Sequence, residues 1–238
     1  MGSQDKDSRW MRFRRMAKNV TGKNMKILKY PLGQLQANCY FLIQGSDCLI
    51  IDPADDASFI AEELQRRRLK LVGMLATHGH FDHILAVGEM QASLGKRRVP
   101  YLHVNQKDQF LIDRMEETAD HFLGFKQTIL PVDKIINLEN IYSIRISNFK
   151  FEIIHTPGHT PGSVCFYFPE ESVIFTGDTL FKGAIGRYDF SYCSREDFKK
   201  SLKKLLKLPK KTTVYPGHED MTTVENENQS VLQSINRL

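Results

Sequence analysis

Thr77-His78-Gly79-His80-Phe81-Asp82-His83 decides how this chain is read. Six consecutive positions, 78 to 83, hold three imidazoles and one carboxylate. The run Leu71-Val72-Gly73-Met74-Leu75-Ala76 comes just before it and is short and apolar, as a buried strand is. A strand that stops at a cluster of ligand side chains delivers them to one rim of a sheet. In an extended segment His78 and His80 point to the same side, because side chains alternate. Asp82 is expected to cap a helix, since Ile84-Leu85-Ala86-Val87 follows it as an apolar run. Two ligand pairs then leave the backbone in different directions, which suits two metal ions better than one. So many buried polar groups need partners, and metal binding supplies them.

Working outward, further ligand-type residues recur in one design. A β-rich run ends, a Gly or Pro turn follows, and a His or Asp sits in it. This happens at Pro157-Gly158-His159-Thr160-Pro161-Gly162, at Thr176-Gly177-Asp178-Thr179 and at Pro216-Gly217-His218. The set supplies five histidines and two carboxylates, enough for two ions. Asp178 is the choice for a carboxylate shared between them. His103, His121 and His155 are left unassigned as ligands.

Strands are expected near 26–30, 38–44, 47–51, 71–76, 99–104, 134–137, 141–146, 149–154, 163–168, 172–175 and 212–215. Helices are expected near 57–68, from Asp82 to about Leu94, over 105–125 and over 195–206. In the third, Phe110, Leu111, Met115, Phe122, Leu123 and Phe125 read first as a packed face, with a substrate-pocket wall as the alternative. In the last, Phe198, Leu202, Leu205 and Leu206 share a face, with lysines opposite.

The chain has 238 residues, and no apolar run approaches the ~20 residues of a membrane span. Cys39, Cys48 and Cys165 lie in strand-like runs. With Cys193 they form no CxxC pair and no disulfide-dense pattern, so a reducing cytoplasm is the expected home. The net charge of +5 belongs to residues 1–24, which carry seven basic and two acidic side chains. That segment reads as a disordered basic leader before a single domain over 25–238. The body is neutral, which argues against a nucleic-acid interface.

From about Met25 to His218 the chain resembles the metallo-β-lactamase superfamily. The resemblance rests on the HxHxDH run at 78–83, Pro-Gly-His-Thr-Pro-Gly-Ser at 157–163, Thr-Gly-Asp-Thr-Leu at 176–180 and Pro-Gly-His at 216–218. It implies an α+β, four-layer αββα sandwich with the metals at one sheet edge. One site would come from His78, His80 and His159, the other from Asp82, His83 and His218. Asp178 would bridge them together with a water or hydroxide, and Asp52 would stand behind the ligands.

Within the superfamily the chain is similar to short glyoxalase II-type thioesterases, by Gly183-Ala184-Ile185-Gly186-Arg187-Tyr188-Asp189-Phe190. Only 20 residues follow His218, too few for the C-terminal helical domain of the longer enzymes. The implied activity is hydrolysis of an acylglutathione-type thioester by a metal-bridging hydroxide, with Asp82 and Asp178 catalytic. The implied cofactor is a pair of divalent ions, zinc first, with iron or manganese as alternatives. Arg187, Tyr188 and Lys182 are the candidate substrate contacts. The implied partner is a small thioester or ester, with no membrane and no nucleic acid. A mononuclear-iron persulfide dioxygenase, a lactonase, a β-lactamase-like enzyme and a nuclease are the competing readings.

Overall fold

The computed structural model describes residues 20–21, 25–93 and 100–237. Of the expected basic leader only Val20–Thr21 fall among them; the rest of that segment lies outside the described residues.

One sheet is built from β1 (Val20–Thr21), β2 (Lys26–Leu32), β3 (Ala37–Gln44), β4 (Asp47–Ile51), β5 (Lys70–Leu75), β6 (Leu102–Val104) and β7 (Ile135–Asn137), in that order. The pairs from β4 to β7 are parallel. A second sheet runs β15 (Thr222–Thr223), β14 (Thr213–Pro216), β11 (Val173–Gly177), β10 (Val164–Phe168), β9 (Phe149–His155) and β8 (Ser143–Ile146). The short pair β12 (Leu180–Phe181) and β13 (Ala184–Ile185) stands apart.

The apolar runs of the sequence are continuous where both faces of a strand are covered. In β3, Cys39 and Phe41 face one core while Tyr40 and Leu42 face another. In β10, Val164, Phe166 and Phe168 enter the core shared by the two sheets, and Cys165 and Tyr167 enter a third core. The first core lies under α1 (Ala57–Arg66), α2 (Phe81–Ile84) and α3 (Val87–Ser93), and contains Phe59, Ile60, Ile84 and Met90. The third is closed by α6 (Arg195–Leu205) and α7 (Val224–Arg237) through Phe198, Leu202, Leu205, Val224, Val231 and Ile235. The layers are therefore helix, sheet, sheet, helix, as expected for the fold.

Strand direction is what positions the site. β9 and β11 are each antiparallel to β10, and β14 is parallel to β11, so β9, β11 and β14 all run the same way. Their C-terminal ends emerge at one rim and lead into His159, Asp178 and His218. β4 and β5 end beside each other at Asp52 and Thr77. The Val164 N–H donates to the Thr77 carbonyl at 2.8 Å, and the Asn38 N–H to the Gly217 carbonyl at 2.7 Å, so the two sheets are stitched together at that rim.

Besides the two-residue strands β1, β12, β13 and β15, three helical regions differ from the sequence expectation. The helix after the ligand run starts from His80, not Asp82: Asp82 sits inside its first turn, and the helix breaks before α3. The expected helix over 105–125 is a 3-10 turn (Gln106–Asp108) followed by α4 (Gln109–Asp113) and α5 (Met115–Leu123), separated at Arg114, whose φ is −108°. Its apolar residues divide accordingly. Leu111 and Met115 are buried, whereas Phe122 is 47% exposed, so it is not part of a packed face. Helix α7 has no counterpart in the expectation, because Glu225-Asn226-Glu227-Asn228-Gln229 masks the apolar positions 224, 231 and 235.

Candidate metal centre

The rim gathers all seven predicted ligands. His80 Nδ1 lies 3.0 Å from His78 Nε2 and 3.1 Å from His159 Nε2. Asp178 joins this group, with Oδ2 3.6 Å from His159 Nε2. The second group is Asp82, His83 and His218. There Asp82 Oδ2 is 3.3 Å from His218 Nε2 and 3.7 Å from His83 Nε2. Asp178 Oδ1 is 3.4 Å from His83 Nε2 and 3.8 Å from His218 Nε2. One carboxylate thus presents a different oxygen to each group.

The second ring nitrogen of every one of these histidines has a protein partner. His78 Nδ1 meets Thr77 Oγ1 at 3.1 Å, and His80 Nε2 meets Tyr192 Oη at 2.8 Å. His83 Nδ1 meets Asp52 Oδ2 at 3.0 Å, His159 Nδ1 the Arg187 carbonyl at 2.8 Å, and His218 Nδ1 the Leu35 carbonyl at 3.1 Å. The carbonyl and carboxylate partners only accept, so His83, His159 and His218 carry a proton on that nitrogen and turn their other ring nitrogen inward. With His78 protonated on Nδ1 and His80 on Nε2, the lone pairs of His78 Nε2, His80 Nδ1 and His159 Nε2 face one another at close range. A cation at their centre turns that repulsion into attraction. His83 Nε2 and Asp178 Oδ1 are fully buried and, among the described residues, find no hydrogen-bond partner, a further sign that the cluster is shaped for cations.

The electrostatics agree with the donor set. Burial, then the neighbouring His83 and His80, hold His78 well below the ordinary imidazole value. Burial and His159 push His80 down to about 3. Both stay neutral near pH 7, as ligands must. Burial opposes charge on His83, but Asp82, Asp178 and Asp52 outweigh it and raise its value well above the ordinary one. Burial likewise opposes charge on Asp178, but His83, His78 and His159 hold its carboxyl well below the usual range. His83 is the position where the surrounding carboxylates most demand positive charge.

Asp52 stands where it was expected. Its carboxylate accepts from the Thr77 N–H at 2.7 Å and Oγ1–H at 2.8 Å as well as from His83. Two residues, Tyr192 and Asp108, escaped the sequence reading, and Phe190 entered it only as part of the Gly183–Phe190 motif. Tyr192 holds His80, and burial pushes its hydroxyl up to about 12, so it keeps its proton. Phe190 stacks on Tyr192 at 5.4 Å. Asp108 is buried behind the ligand loops. Burial pushes its carboxyl up against the pull of hydrogen bonds from Thr160, Gly79 and Gly162.

A cleft of about 240 Å³ opens onto the cluster, lined by Leu35, Phe81, Thr118, Phe122, Arg187, Phe190 and Tyr192 beside the ligands. Arg187 is exposed and forked on Asp189, with two contacts of 3.0 Å, while its guanidinium lies 4.4 Å from the Phe190 ring centre. Tyr188 differs from its expected place: its ring packs towards Phe198, with Arg195 stacked on it, and it is not among the cleft-lining residues. Lys182 lines a neighbouring groove shared with Lys29, Asn38 and His218.

Residues 32–218 match the family model of the metallo-beta-lactamase superfamily. The chain belongs to the metallo-beta-lactamase superfamily. It is 38% identical over 205 residues to the probable metallo-hydrolase YqgX of Bacillus subtilis, covering 85% of this chain and 94% of that one. It is 36% identical over 209 residues to the hydroxyacylglutathione hydrolase GloC of Haemophilus influenzae, covering 87% and 96%. Among solved structures, TTHA1623 in a di-iron-bound form superposes with a TM-score of 0.76 at 33% identity, over 85% of this chain and 98% of that one. The B3 metallo-beta-lactamase BLEG-1 does so with the same TM-score and identity, over 85% and 96%. The family match and these relatives place the chain among metallo-hydrolases, with a His/Asp cluster that could hold divalent metal ions. Among the described residues no helix is long and apolar enough to cross a membrane.

Proposed function

We propose that this superfamily member hydrolyses thioesters of small thiols, of the acylglutathione type, with two divalent cations held by the seven side chains at the rim. The observation that carries the reading is Asp178, with Oδ1 toward His83 and His218 and Oδ2 toward His159. A carboxylate so disposed is suited to a pair of cations. The similarity to GloC supports the thioester class. Imidazole and carboxylate donors accept zinc, iron or manganese; zinc is our first choice, and the di-iron form of TTHA1623 makes iron the second.

Bound divalent cations supply a water of lowered pKa and positive charge for the developing oxyanion. The chain's own side chains do the rest. Asp82 and Asp178, which both line the cleft, orient the attacking water, and its proton is released to solvent. Water oxygen bonds to the acyl carbon, the C–S bond breaks, and the thiol leaves as thiolate. Phe81 and Phe122, stacked at 6.0 Å, and Phe190 with Tyr192 wall the acyl group from bulk water. Arg187 and Lys182 border the cleft and the adjoining groove, where a carboxylate of the thiol would meet them. Three fully buried free thiols suit a reducing compartment, and we place the enzyme in the cytoplasm.

The test is hydrolysis of lactoylglutathione by metal-loaded protein, followed by loss of thioester absorbance, with His80→Ala alongside. We expect turnover in the wild type and its loss in the variant. An intact thioester with fully loaded wild type refutes the reading. A cephalosporin in the same assay separates the second reading, lactam hydrolysis, which the similarity to BLEG-1 favours.

A further inference from the structure

We propose that Asp108 is a positioning residue that sets the spacing of the His78–His80–His159 group by tying its two loops to one carboxylate. The inference rests on those three imidazoles being metal ligands and is independent of the substrate. Asp108 closes the 3-10 turn after β6, on neither ligand loop, and its residue is 0% exposed. Its Oδ2 accepts from the Gly79 N–H at 2.9 Å and from the Thr160 Oγ1–H at 2.7 Å, and its Oδ1 accepts from the Gly162 N–H at 2.6 Å. Gly79 sits between His78 and His80; Thr160 directly follows His159. The donors lie 29, 52 and 54 positions away in sequence, yet they converge on two oxygens.

The glycines of the two motifs follow from this carboxylate. A Cβ at position 79 would lie 2.8 Å from Asp108 Cβ and 2.9 Å from its carbonyl oxygen, and one at position 162 would lie 2.6 Å from Oδ1. Both backbones therefore approach as closely as only glycine permits. Among the described residues Asp108 forms no salt bridge, so the three donors are what stabilise a buried carboxylate. Tyr192 and Arg187 each aim a single ring. Asp108 touches no ring nitrogen and fixes instead the distance between the loop of His78 and His80 and the loop of His159.

Asp108→Asn is the discriminating variant. Whichever way the amide lies, its NH₂ must face the N–H of Gly79 or of Gly162, so at least one of the three bonds that join the loops is lost. The measurement is cobalt(II) affinity by competition with a chromophoric chelator, together with the cobalt ligand-field spectrum and circular dichroism of the metal-free protein. Outer-shell partners typically change metal affinity about 10–100-fold. We expect a loss of that size at the first group, an altered spectrum and unchanged circular dichroism. Glu227→Gln, which alters a buried carboxylate holding Gly183, Thr222 and Ser230, keeps wild-type cobalt affinity. Folded Asp108→Asn with wild-type affinity and spectrum overturns the proposal. Should that variant not fold, Thr160→Val removes one of the three bonds, and a folded Thr160→Val with unchanged affinity overturns it equally. Wild type that binds no cobalt at the three imidazoles refutes the ligand set itself.

Discussion

Replacing Asp52 by asparagine changes one oxygen to nitrogen and, on the geometry above, disturbs one ligand in each metal group. The backbone accepts the change, because Asp52 has φ of 51° and asparagine tolerates the left-handed region. The amide oxygen takes the place of Oδ1 and keeps the Thr77 N–H. The NH₂ then replaces Oδ2, which accepts from His83 Nδ1 and from Thr77 Oγ1. Facing a donor, His83 Nδ1 must become an acceptor, and its proton moves to Nε2, the nitrogen turned towards Asp178 and Asp82. The Thr77 hydroxyl, displaced from the carboxylate, donates to His78 Nδ1 and blocks His78 Nε2 in the same way. Loss of such a partner typically weakens metal binding about 10–100-fold, or about 1.4–2.8 kcal/mol. Asp52→Asn is therefore expected to weaken both groups by that range, the His83 group more because the contact is direct. Thr77→Val, which removes the hydroxyl at His78 Nδ1 but leaves the Asp52–His83 contact in place, weakens the first group more than the second. Zinc titration against a chromophoric chelator, with stoichiometry by elemental analysis, reads both. A folded Asp52→Asn that binds two ions as tightly as wild type refutes the tautomer argument.

Other expectations can be checked independently. A metal at 100 times its dissociation constant stabilises by about 2.7 kcal/mol, so chelation should lower the melting temperature measurably. Arg187→Ala keeps its metal, because the carbonyl and not the guanidinium holds His159; only KM for an anionic thiol should rise, by a few-fold. Phe122→Ala opens the cleft and should lower kcat/KM several-fold for acyl groups that touch it, the ring being about half buried. At Glu63, burial raises the carboxyl but Arg66, Arg67 and the Tyr30 hydroxyl outweigh it and hold it at about 2 instead of 4.5. Its contribution is present above pH 4.5 and is lost as pH falls towards 2. The deficit of Glu63→Gln against wild type in urea unfolding should shrink over that window.

The candidate ligands were legible because four of them crowd into six positions and the other three sit in Gly or Pro turns after apolar strands. The sheets were legible for a related reason: strands covered on both faces leave unbroken apolar runs such as Val164–Phe168. Asp108 and Tyr192 were not legible. Each is a single polar residue in an unremarkable stretch, and its meaning arises only when chain segments 29 to 112 positions away fold onto it. Tyr188 shows the converse. Its neighbours Arg187 and Phe190 border the cleft, yet its own ring turns to Phe198 and the core under α6. Phe122 read as core because helical spacing cannot tell a packed face from a cleft wall.

The ligand groups draw on both sheets, and this has a consequence for how the protein holds together. A cation bound by His78, His80 and His159 clasps segments about 80 positions apart, and one bound by Asp82, His83 and His218 clasps segments about 135 apart. In a protein whose four cysteines are all free, such clasps act as reversible cross-links between the N-terminal and C-terminal halves. Metal occupancy then reports on whether the halves have docked, and protease resistance at the seam should track it.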